Sequence, residues 1–201
     1  MLNSLKIENV QAVAGPVFSL TIAAGELLCL TGSSGSGKSL LLRAIADLDP
    51  CAGTIWFNDR KQSDTPAPLW RREVALLQAV SYWWHDRVGD HFDKPQEATP
   101  VMEALGLTRE VMDWHIERMS TGERQRMSIV RLLFNRPLVL LLDEPTANLD
   151  PTTSRQVESL ILDYKQRHRV PVLWVSHDLD QVKRVADRHF DIRSNQLLEV
   201  N

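Results

Sequence analysis

Apolar and polar positions form two distinct patterns along this chain. Four continuous apolar runs are typical of strands buried on both faces of a parallel sheet, at 27–30, 74–77, 138–142 and 172–175. Helical patterns lie between them, at 40–46, from Ser120 to just before Pro137, at 154–167 and at 179–186. Strands that alternate with helices predict an α/β fold with a mostly parallel sheet core, whose ligands gather at the carboxyl ends of the strands.

The other pattern is strict alternation, and it occurs near the start of the chain. It predicts two short antiparallel strands, at 5–10 and 17–22, and a further strand is predicted at 54–57. The polar stretch from Asp59 to Pro68 contains two prolines and is expected to be a surface loop. A last strand, at 190–192, is expected to close an edge of the sheet. The start of the chain therefore predicts a small N-terminal antiparallel β part.

Aromatic residues and prolines replace the β-branched runs between Gln78 and Ser120. We interpret 79–135 as an inserted α-helical subdomain, and 1–78 with 136–201 as the β core of a single domain spanning 1–201. The subdomain is expected to hold a loop at 91–100 and short helices at 101–105 and 111–116. Ser120 and Glu123 then have the spacing of a capping box, which predicts a helix with one apolar face. That face consists of Met127, Val130, Leu133 and Phe134.

Composition narrows the classes of function. The 201 residues carry a formal net charge of −3, which offers no footprint for nucleic acid or an anionic membrane surface. Cys29 and Cys51 have no paired spacing, so a reducing compartment is expected. No apolar run approaches the roughly 18 residues of a membrane span, and no signal peptide is recognisable. We expect a soluble cytoplasmic protein without direct membrane insertion.

One segment carries a recognisable chemistry, from Gly32 to Ser39. Its Gly, four residues, Gly-Lys-Ser spacing lies between a predicted strand and a predicted helix, as a loop that cradles phosphates requires. Lys38 is expected to reach the β- and γ-phosphates, and the Ser39 hydroxyl to bind Mg²⁺. The segment predicts a P-loop NTPase. Its candidate nucleotide-binding residues are Gly32, Ser33, Ser34, Gly35, Ser36, Gly37, Lys38, Ser39 and Leu40.

Hydrolysis needs further groups, and suitable side chains follow the predicted strands. Asp143 is placed to hold Mg²⁺, Glu144 to polarise an attacking water, and His177 to contact the γ-phosphate. Gln78 follows another strand and lies at the same expected edge. Each also has an ordinary interpretation: an Asp-Glu pair can be a strand end that meets solvent, and a Ser-His pair can cap a helix.

These motifs resemble those of the ATP-binding cassette (ABC) ATPases that power membrane transporters, over nearly the whole chain. Gly32 to Ser39 resembles the Walker A loop, and Leu138 to Glu144 resembles Walker B. Gln78 resembles the Q-loop glutamine and His177 the switch histidine. The most diagnostic resemblances are Ser120 to Arg126, which looks like the family signature, and Ala147 to Asp150, which looks like the D-loop.

The resemblance implies residue roles. Lys38, Gln78, Glu144 and His177 would be catalytic, and Ser39, Gln78 and Asp143 would bind the metal. Ser120, Gly122 and Glu123 would contact ATP held by a second copy of the chain, in a head-to-tail homodimer closed around two ATP molecules. The helix N-terminus at Ser120 and Gly122 suits an anion.

The resemblance also implies a partner, an integral membrane permease that would hold the chain at the inner or plasma membrane. The compact form is similar to stand-alone bacterial cassettes. Tyr82, Trp83 and Trp84 have two interpretations: an exposed anchor for a partner helix, or the small core of the helical subdomain.

Two departures from the family pattern leave other functions open. Thr121 stands where the signature usually has its second glycine, and 11–16 offers no aromatic residue to stack on adenine. Phe18 is the nearest candidate for stacking, but it is expected in a strand. The alternatives are a soluble mechanical ATPase acting on DNA or ribosomes, and a nucleotide-binding regulator that does not hydrolyse ATP.

Overall fold

A computed structural model describes residues 3–12, 15–194 and 196–200. Its strands are β1 (Leu5–Ala12), β2 (Phe18–Ile22), β3 (Leu27–Gly32), β4 (Cys51–Phe57), β5 (Arg60–Lys61), β6 (Val74–Leu77), β7 (Val139–Asp143), β8 (Val172–Val175), β9 (Arg188–Arg193) and β10 (Gln196–Val200). Its α-helices are α1 (Lys38–Ile45), α2 (Ala67–Glu73), α3 (Thr99–Ala104), α4 (Thr121–Phe134), α5 (Pro151–His168) and α6 (Leu179–Val185).

The strands form two sheets. The central sheet has the order β10-β9-β3-β8-β7-β6, and all its neighbours pair in parallel except β10 with β9. The second sheet, β2-β1-β4-β5, is antiparallel. The predicted α/β fold with a mostly parallel sheet core and a small antiparallel β part is therefore confirmed.

The central strands are buried on both faces, as their continuous apolar sequences predict. All five residues of β7 are buried, and alternate side chains enter two different apolar clusters. Leu140 and Leu142 pack with residues of α4, α5 and α6, whereas Leu141 packs with residues of α1 and of the antiparallel sheet. Because both faces are covered, the chemically useful edge of this sheet is the row of carboxyl ends.

The prediction of a surface loop from Asp59 to Pro68 is wrong. The segment contains β5 and a 3₁₀ turn at Gln62–Asp64, and α2 begins at Ala67. Pro68 lies in the first turn of α2, where its missing N–H costs no hydrogen bond. Trp70 anchors the helix, because its side chain is fully buried and its Nε1 donates to the Ile45 carbonyl at 2.8 Å.

Three other expectations about the elements need correction. The segments Arg109–Asp113 and Ile116–Arg118 are 3₁₀ turns rather than one α-helix, and 91–100 is not a plain loop, since it contains a 3₁₀ turn at Pro95–Ala98 and the start of α3. The last predicted strand, β9, does not close an edge. It lies between β3 and β10, because the segment after it, Gln196–Val200, pairs in antiparallel fashion on its outer side.

The chain between β6 and β7 consists of short helices and 3₁₀ turns that end in α4. Its buried residues, among them Val88, Met102 and Met119, belong to the same apolar cluster as Leu140 and Trp174 of the central sheet. A division of the domain at 79 and 135 stays a proposal. Within the described ranges, none of the helices combines the length and the apolar character that a membrane span needs.

Candidate active site

The segment from Gly32 to Ser39 joins the end of β3 to the start of α1, as the motif requires. Gly35 and Gly37 have φ angles of +79° and +93°, which a residue with a Cβ adopts only with strain. The Lys38 ammonium lies within the curve of the loop and donates to the carbonyls of Gly32 and Ser33, each at 2.8 Å. Hydrogen bonds within the loop therefore hold the Lys38 side chain in place.

The first turn of α1 presents backbone donors at the same place. The first N–H that bonds back into the helix is that of Leu41, to the Gly37 carbonyl. The N–H groups of Lys38, Ser39 and Leu40 precede it, in the part of a helix that has no intrahelical acceptors. Burial lowers the pKa of Lys38, although nearby carboxylates including Glu144 and Asp143 oppose the shift. Donors and a cation converge here, which suits a polyphosphate.

The order of strands brings the other candidates beside this loop. β3, β8, β7 and β6 are successive neighbours in the sheet. The phosphate loop, His177 and Gln78 follow the carboxyl ends of β3, β8 and β6, and Asp143 is the last residue of β7. Burial raises the pKa of Asp143, and the nearby Ser39 hydroxyl and the charge of Lys38 reduce that shift. An oxygen-rich pair therefore stands next to the phosphate loop.

Glu144 has an unusual backbone. Its φ is +49°, a left-handed conformation that costs a residue other than glycine about 1–3 kcal/mol. Its N–H donates to the Val175 carbonyl at 3.1 Å, and its carbonyl accepts from Ala147 N at 3.2 Å. The side chain meets His177, with Glu144 Oε1 2.9 Å from His177 Nε2. The strained turn directs the carboxylate towards the histidine and the lysine.

The signature segment is placed elsewhere. Ser120 and Glu123 form the predicted capping box at the start of α4: Glu123 N donates to Ser120 Oγ, and Ser120 N donates to Glu123 Oε2. Gly122 lies against Leu149 and Asn148, in the segment that resembles the D-loop. In the part of the chain that the structure describes, no hydrogen bond joins Ser120, Gly122 or Glu123 to the phosphate loop.

Of the aromatic residues Tyr82, Trp83 and Trp84, one belongs to the core and two are exposed. Trp83 is partly buried and packs against the main apolar cluster, with Arg131 4.3 Å from its ring centre. Tyr82 and Trp84 are 68% and 66% exposed. Phe18 is buried in β2, so its ring is not available to stack on a base, and Val13 and Ala14 of the interval 11–16 lie outside the described residues.

The sequence interpretation misses several residues that support the segments around the site. Gln125 Nε2 donates to the Pro145 carbonyl at 3.0 Å, and Gln181 contacts the loops that carry Glu144 and His177. Arg131 donates to the Tyr82 carbonyl at 2.9 Å, and burial lowers its pKa to about 10. The sequence offers a signal only for Arg131, which is a cation within the apolar pattern of a helix. Nothing in the sequence distinguishes the two glutamines from exposed ones.

The fold and this edge of the sheet define a phosphate-loop ATPase. The family model described as "ABC transporter" matches residues 17–147. The chain belongs to the ABC transporter family. It is an ATP-binding ATPase that powers transport through a separate membrane permease, which confirms the predicted class and leaves the soluble and regulatory alternatives without support.

Proteins of similar sequence agree with this assignment. The chain is 32% identical to "Probable iron export ATP-binding protein FetA" of Escherichia coli, over 92% of this chain and 88% of that protein. It is 35% identical to "Aliphatic sulfonates import ATP-binding protein SsuB 2" of Frankia alni, over 90% of this chain and 71% of that protein. A solved bacterial Atm1-family ABC exporter with ATP bound superimposes with a TM-score of 0.85 at 21% identity, covering 99% of this chain and 39% of that chain, and shows the fold.

Proposed function

We propose that this chain binds ATP with Mg²⁺ and hydrolyses it in sites shared by two copies of the chain. The observation that carries the proposal is the row of strand ends that sets Asp143, Glu144 and His177 beside the Ser39 and Lys38 side chains. Gln78, partly buried at the end of β6, extends the row and supplies an amide oxygen.

The residues at this edge fit Mg²⁺. Ser39 supplies a hydroxyl and Asp143 a nearby carboxylate, and both are hard oxygen donors. Among the described residues there is no group of three His, Cys, Asp or Glu side chains that could hold a metal alone. Mg²⁺ usually takes one or two protein ligands and completes its shell with phosphate oxygens and water. Bound here with Gln78, it would neutralise phosphate charge.

The remaining side chains divide the work of hydrolysis. The Lys38 ammonium would exchange its loop carbonyls for phosphate oxygens. The Glu144 carboxylate would accept a hydrogen bond from the water that attacks the γ-phosphorus, while the bond to the bridging oxygen breaks. His177, in contact with Glu144, would orient that carboxylate and contact the γ-phosphate.

A second copy would supply the signature. The N-terminus of α4 carries the exposed Ser120 and Thr121 next to Gly122, and its helix of 14 residues presents backbone donors and a positive dipole end. Since this helix end makes no hydrogen bond to its own phosphate loop in the described chain, we assign Ser120, Gly122 and Glu123 to the ATP held by the partner copy. Thr121 would place a Cβ and a hydroxyl near that nucleotide.

Phosphate release from ATP tests the shared site directly. We expect hydrolysis that requires Mg²⁺ and a rate per chain that rises with protein concentration, because two chains form each site. The measurement is the rate over a concentration range in which size-exclusion chromatography shows monomers without ATP. A rate per chain that stays constant over that range would contradict the shared site.

We further propose that the permease docks on the segment after Gln78, which would hold the chain at the cytoplasmic face of the inner or plasma membrane. The exposed side chains of Val80, Tyr82 and Trp84, here called the aromatic ridge, are 68%, 68% and 66% exposed. Arg131 and the His91 ring fix the backbone beneath the ridge: Arg131 donates to Tyr82 O, and His91 Nε2 accepts from Trp84 N and His85 N, each at 3.1 Å. A rigid, exposed aromatic pair is suited to anchor a partner helix.

The docking proposal predicts the effect of a double substitution, Tyr82→Ser with Trp84→Ser. We expect binding to the permease to weaken about tenfold or more, because aromatic anchors carry much of the energy of an interface. The measurement is copurification of the chain with its permease from detergent. Leu198→Ser is the matched control, since Leu198 is 43% exposed on β10. Equal recovery with both variants would count against the ridge as the docking surface.

A further inference from the structure

Gln181 lies in the first turn of α6 and is only 2% exposed. Its side-chain amide makes three hydrogen bonds to three different parts of the chain. Nε2 donates to Thr146 Oγ1 at 2.8 Å and to Glu158 Oε1 at 3.0 Å, and Oε1 accepts from Ser176 Oγ at 2.9 Å. Both amide protons are therefore used, in a buried position where an unpaired donor would be costly.

The orientation of the amide follows from its neighbours. Arg184 holds the Glu158 carboxylate through Nε at 3.0 Å and NH2 at 2.7 Å. Burial alone would raise the pKa of Glu158, but the hydrogen bonds from Arg184 and Gln181 outweigh it and the net pKa is lowered. An ionised carboxylate only accepts hydrogen bonds. The Gln181 NH₂ group must therefore face Glu158, which leaves its oxygen for Ser176.

The two loops that Gln181 joins are those of the proposed hydrolytic pair. Thr146 lies two positions after Glu144, and Ser176 immediately precedes His177. The Glu144 backbone is in the left-handed region, a conformation that persists only where surrounding contacts hold it. Gln181 supplies such a contact from the far side of the turn, while the Val175 carbonyl supplies another at Glu144 N.

We propose that Gln181 is a positioning residue for ATP hydrolysis, which sets the relative placement of Glu144 and His177 by tying Thr146 to Ser176. The inference rests on the proposed roles of Glu144 and His177. Gln181 itself touches neither the phosphate loop nor any reacting atom. Its substitution should therefore change the turnover rate and leave the affinity for the nucleotide unchanged. A displacement of about 1 Å in a catalytic group can reduce a rate by about 10²-fold.

The first test is Gln181→Met, which keeps the length of the side chain and removes its hydrogen bonds. We expect kcat to fall about 10- to 100-fold with the KM for ATP nearly unchanged, because the phosphate loop is untouched. The control is Gln156→Met, an exposed glutamine on α5, which should retain the wild-type rate. A wild-type kcat for Gln181→Met, or a loss that appears only in KM, would overturn the proposal.

The second test distinguishes positioning from a general loss of packing. Gln181→Glu brings a second carboxylate to within about 3 Å of the Glu158 carboxylate. Two carboxylates at this distance do not both stay ionised. When protonated, the new carboxyl group can donate its one proton to Glu158, accept from Ser176, and accept at its hydroxyl oxygen from the Thr146 hydroxyl, which restores the tie between Thr146 and Ser176. The charged groups around it are Glu158, Arg184, Asp178, whose Oδ1 accepts from Gln181 N at 3.0 Å, and, further out, Arg155.

We therefore expect Gln181→Glu to regain activity, relative to the wild-type protein, as the pH is lowered, whereas Gln181→Met stays impaired at every pH. Parallel pH profiles of the two variants would overturn positioning through this hydrogen-bond network. The proposed roles are tested separately by Glu144→Gln and His177→Ala. If both hydrolyse ATP at the wild-type rate, the proposed function fails; if both are inactive while Gln181→Met is unimpaired, only the positioning inference fails.

Discussion

The Glu144→Gln variant is expected to bind ATP, to form the closed dimer and to remain dimeric, because it does not hydrolyse the bound ATP. The amide has the shape of the carboxylate but no charge, so it cannot draw a proton from the attacking water. Loss of that function should lower kcat by about 10²-fold or more. The substitution also removes a negative charge close to the γ-phosphate, which favours the closed state. Size-exclusion chromatography with light scattering, with ATP and Mg²⁺ present, should show the mass of two chains.

The comparison for this variant is Glu110→Gln, an exposed glutamate in the Arg109–Asp113 turn. It should behave as the wild-type protein does, with dimers that disappear as ATP is consumed. If Glu144→Gln hydrolyses ATP normally, the role of Glu144 is wrong. If it is inactive but stays monomeric with ATP and Mg²⁺, the shared site is wrong while the role of Glu144 stands.

Lys38→Ala and Ser120→Arg should each abolish hydrolysis, and a mixture of the two should recover part of it. Loss of the Lys38 ammonium removes the cation from the phosphate loop, which should cost about 10²-fold or more in rate. The Ser120→Arg side chain would block the exposed start of α4. In a mixed dimer, one site joins the intact phosphate loop of one chain to the intact signature of the other.

Random mixing in equal amounts gives mixed dimers half of the time, each with one working site of two, so about a quarter of the wild-type rate is expected. The matched control mixes Lys38→Ala with the double variant Lys38→Ala/Ser120→Arg, in which no pairing forms an intact site. Recovery in the first mixture alone supports sites shared between chains. Failure of both mixtures would mean that each site lies within one chain.

Much of the fold could be predicted because its signals are local. The strands β3, β6, β7 and β8 are continuous apolar runs, and a run buried on both faces needs no information from distant residues. The phosphate loop is equally predictable from the sequence. Its glycines, lysine and serine meet the requirements of one turn and the start of one helix, which involve only neighbouring residues. The capping box at Ser120 and Glu123 is closed within four residues.

Elements that depend on distant partners were predicted less well. The polar residues and two prolines of 59–68 predict a loop, but α2 begins within this segment at Ala67, and the burial of Trp70 and its contact with Ile45 hold the helix. The place of β9 inside the sheet depends on a final strand with a mixed pattern, β10. In both cases burial against other elements outweighs local preference.

By itself, the sequence determined the α/β class, the phosphate loop and the residues that follow each strand. These features depend on local backbone geometry and on the spacing of apolar residues, and both are visible in neighbouring positions of the chain. Only the tertiary structure decided which of those residues meet. The contact between Glu144 and His177 joins the ends of two strands, and Gln181 reaches Thr146 and Glu158 from 35 and 23 positions away. A buried glutamine has no sequence signature, since its hydrogen bonds exist only once the helices and loops around it have packed.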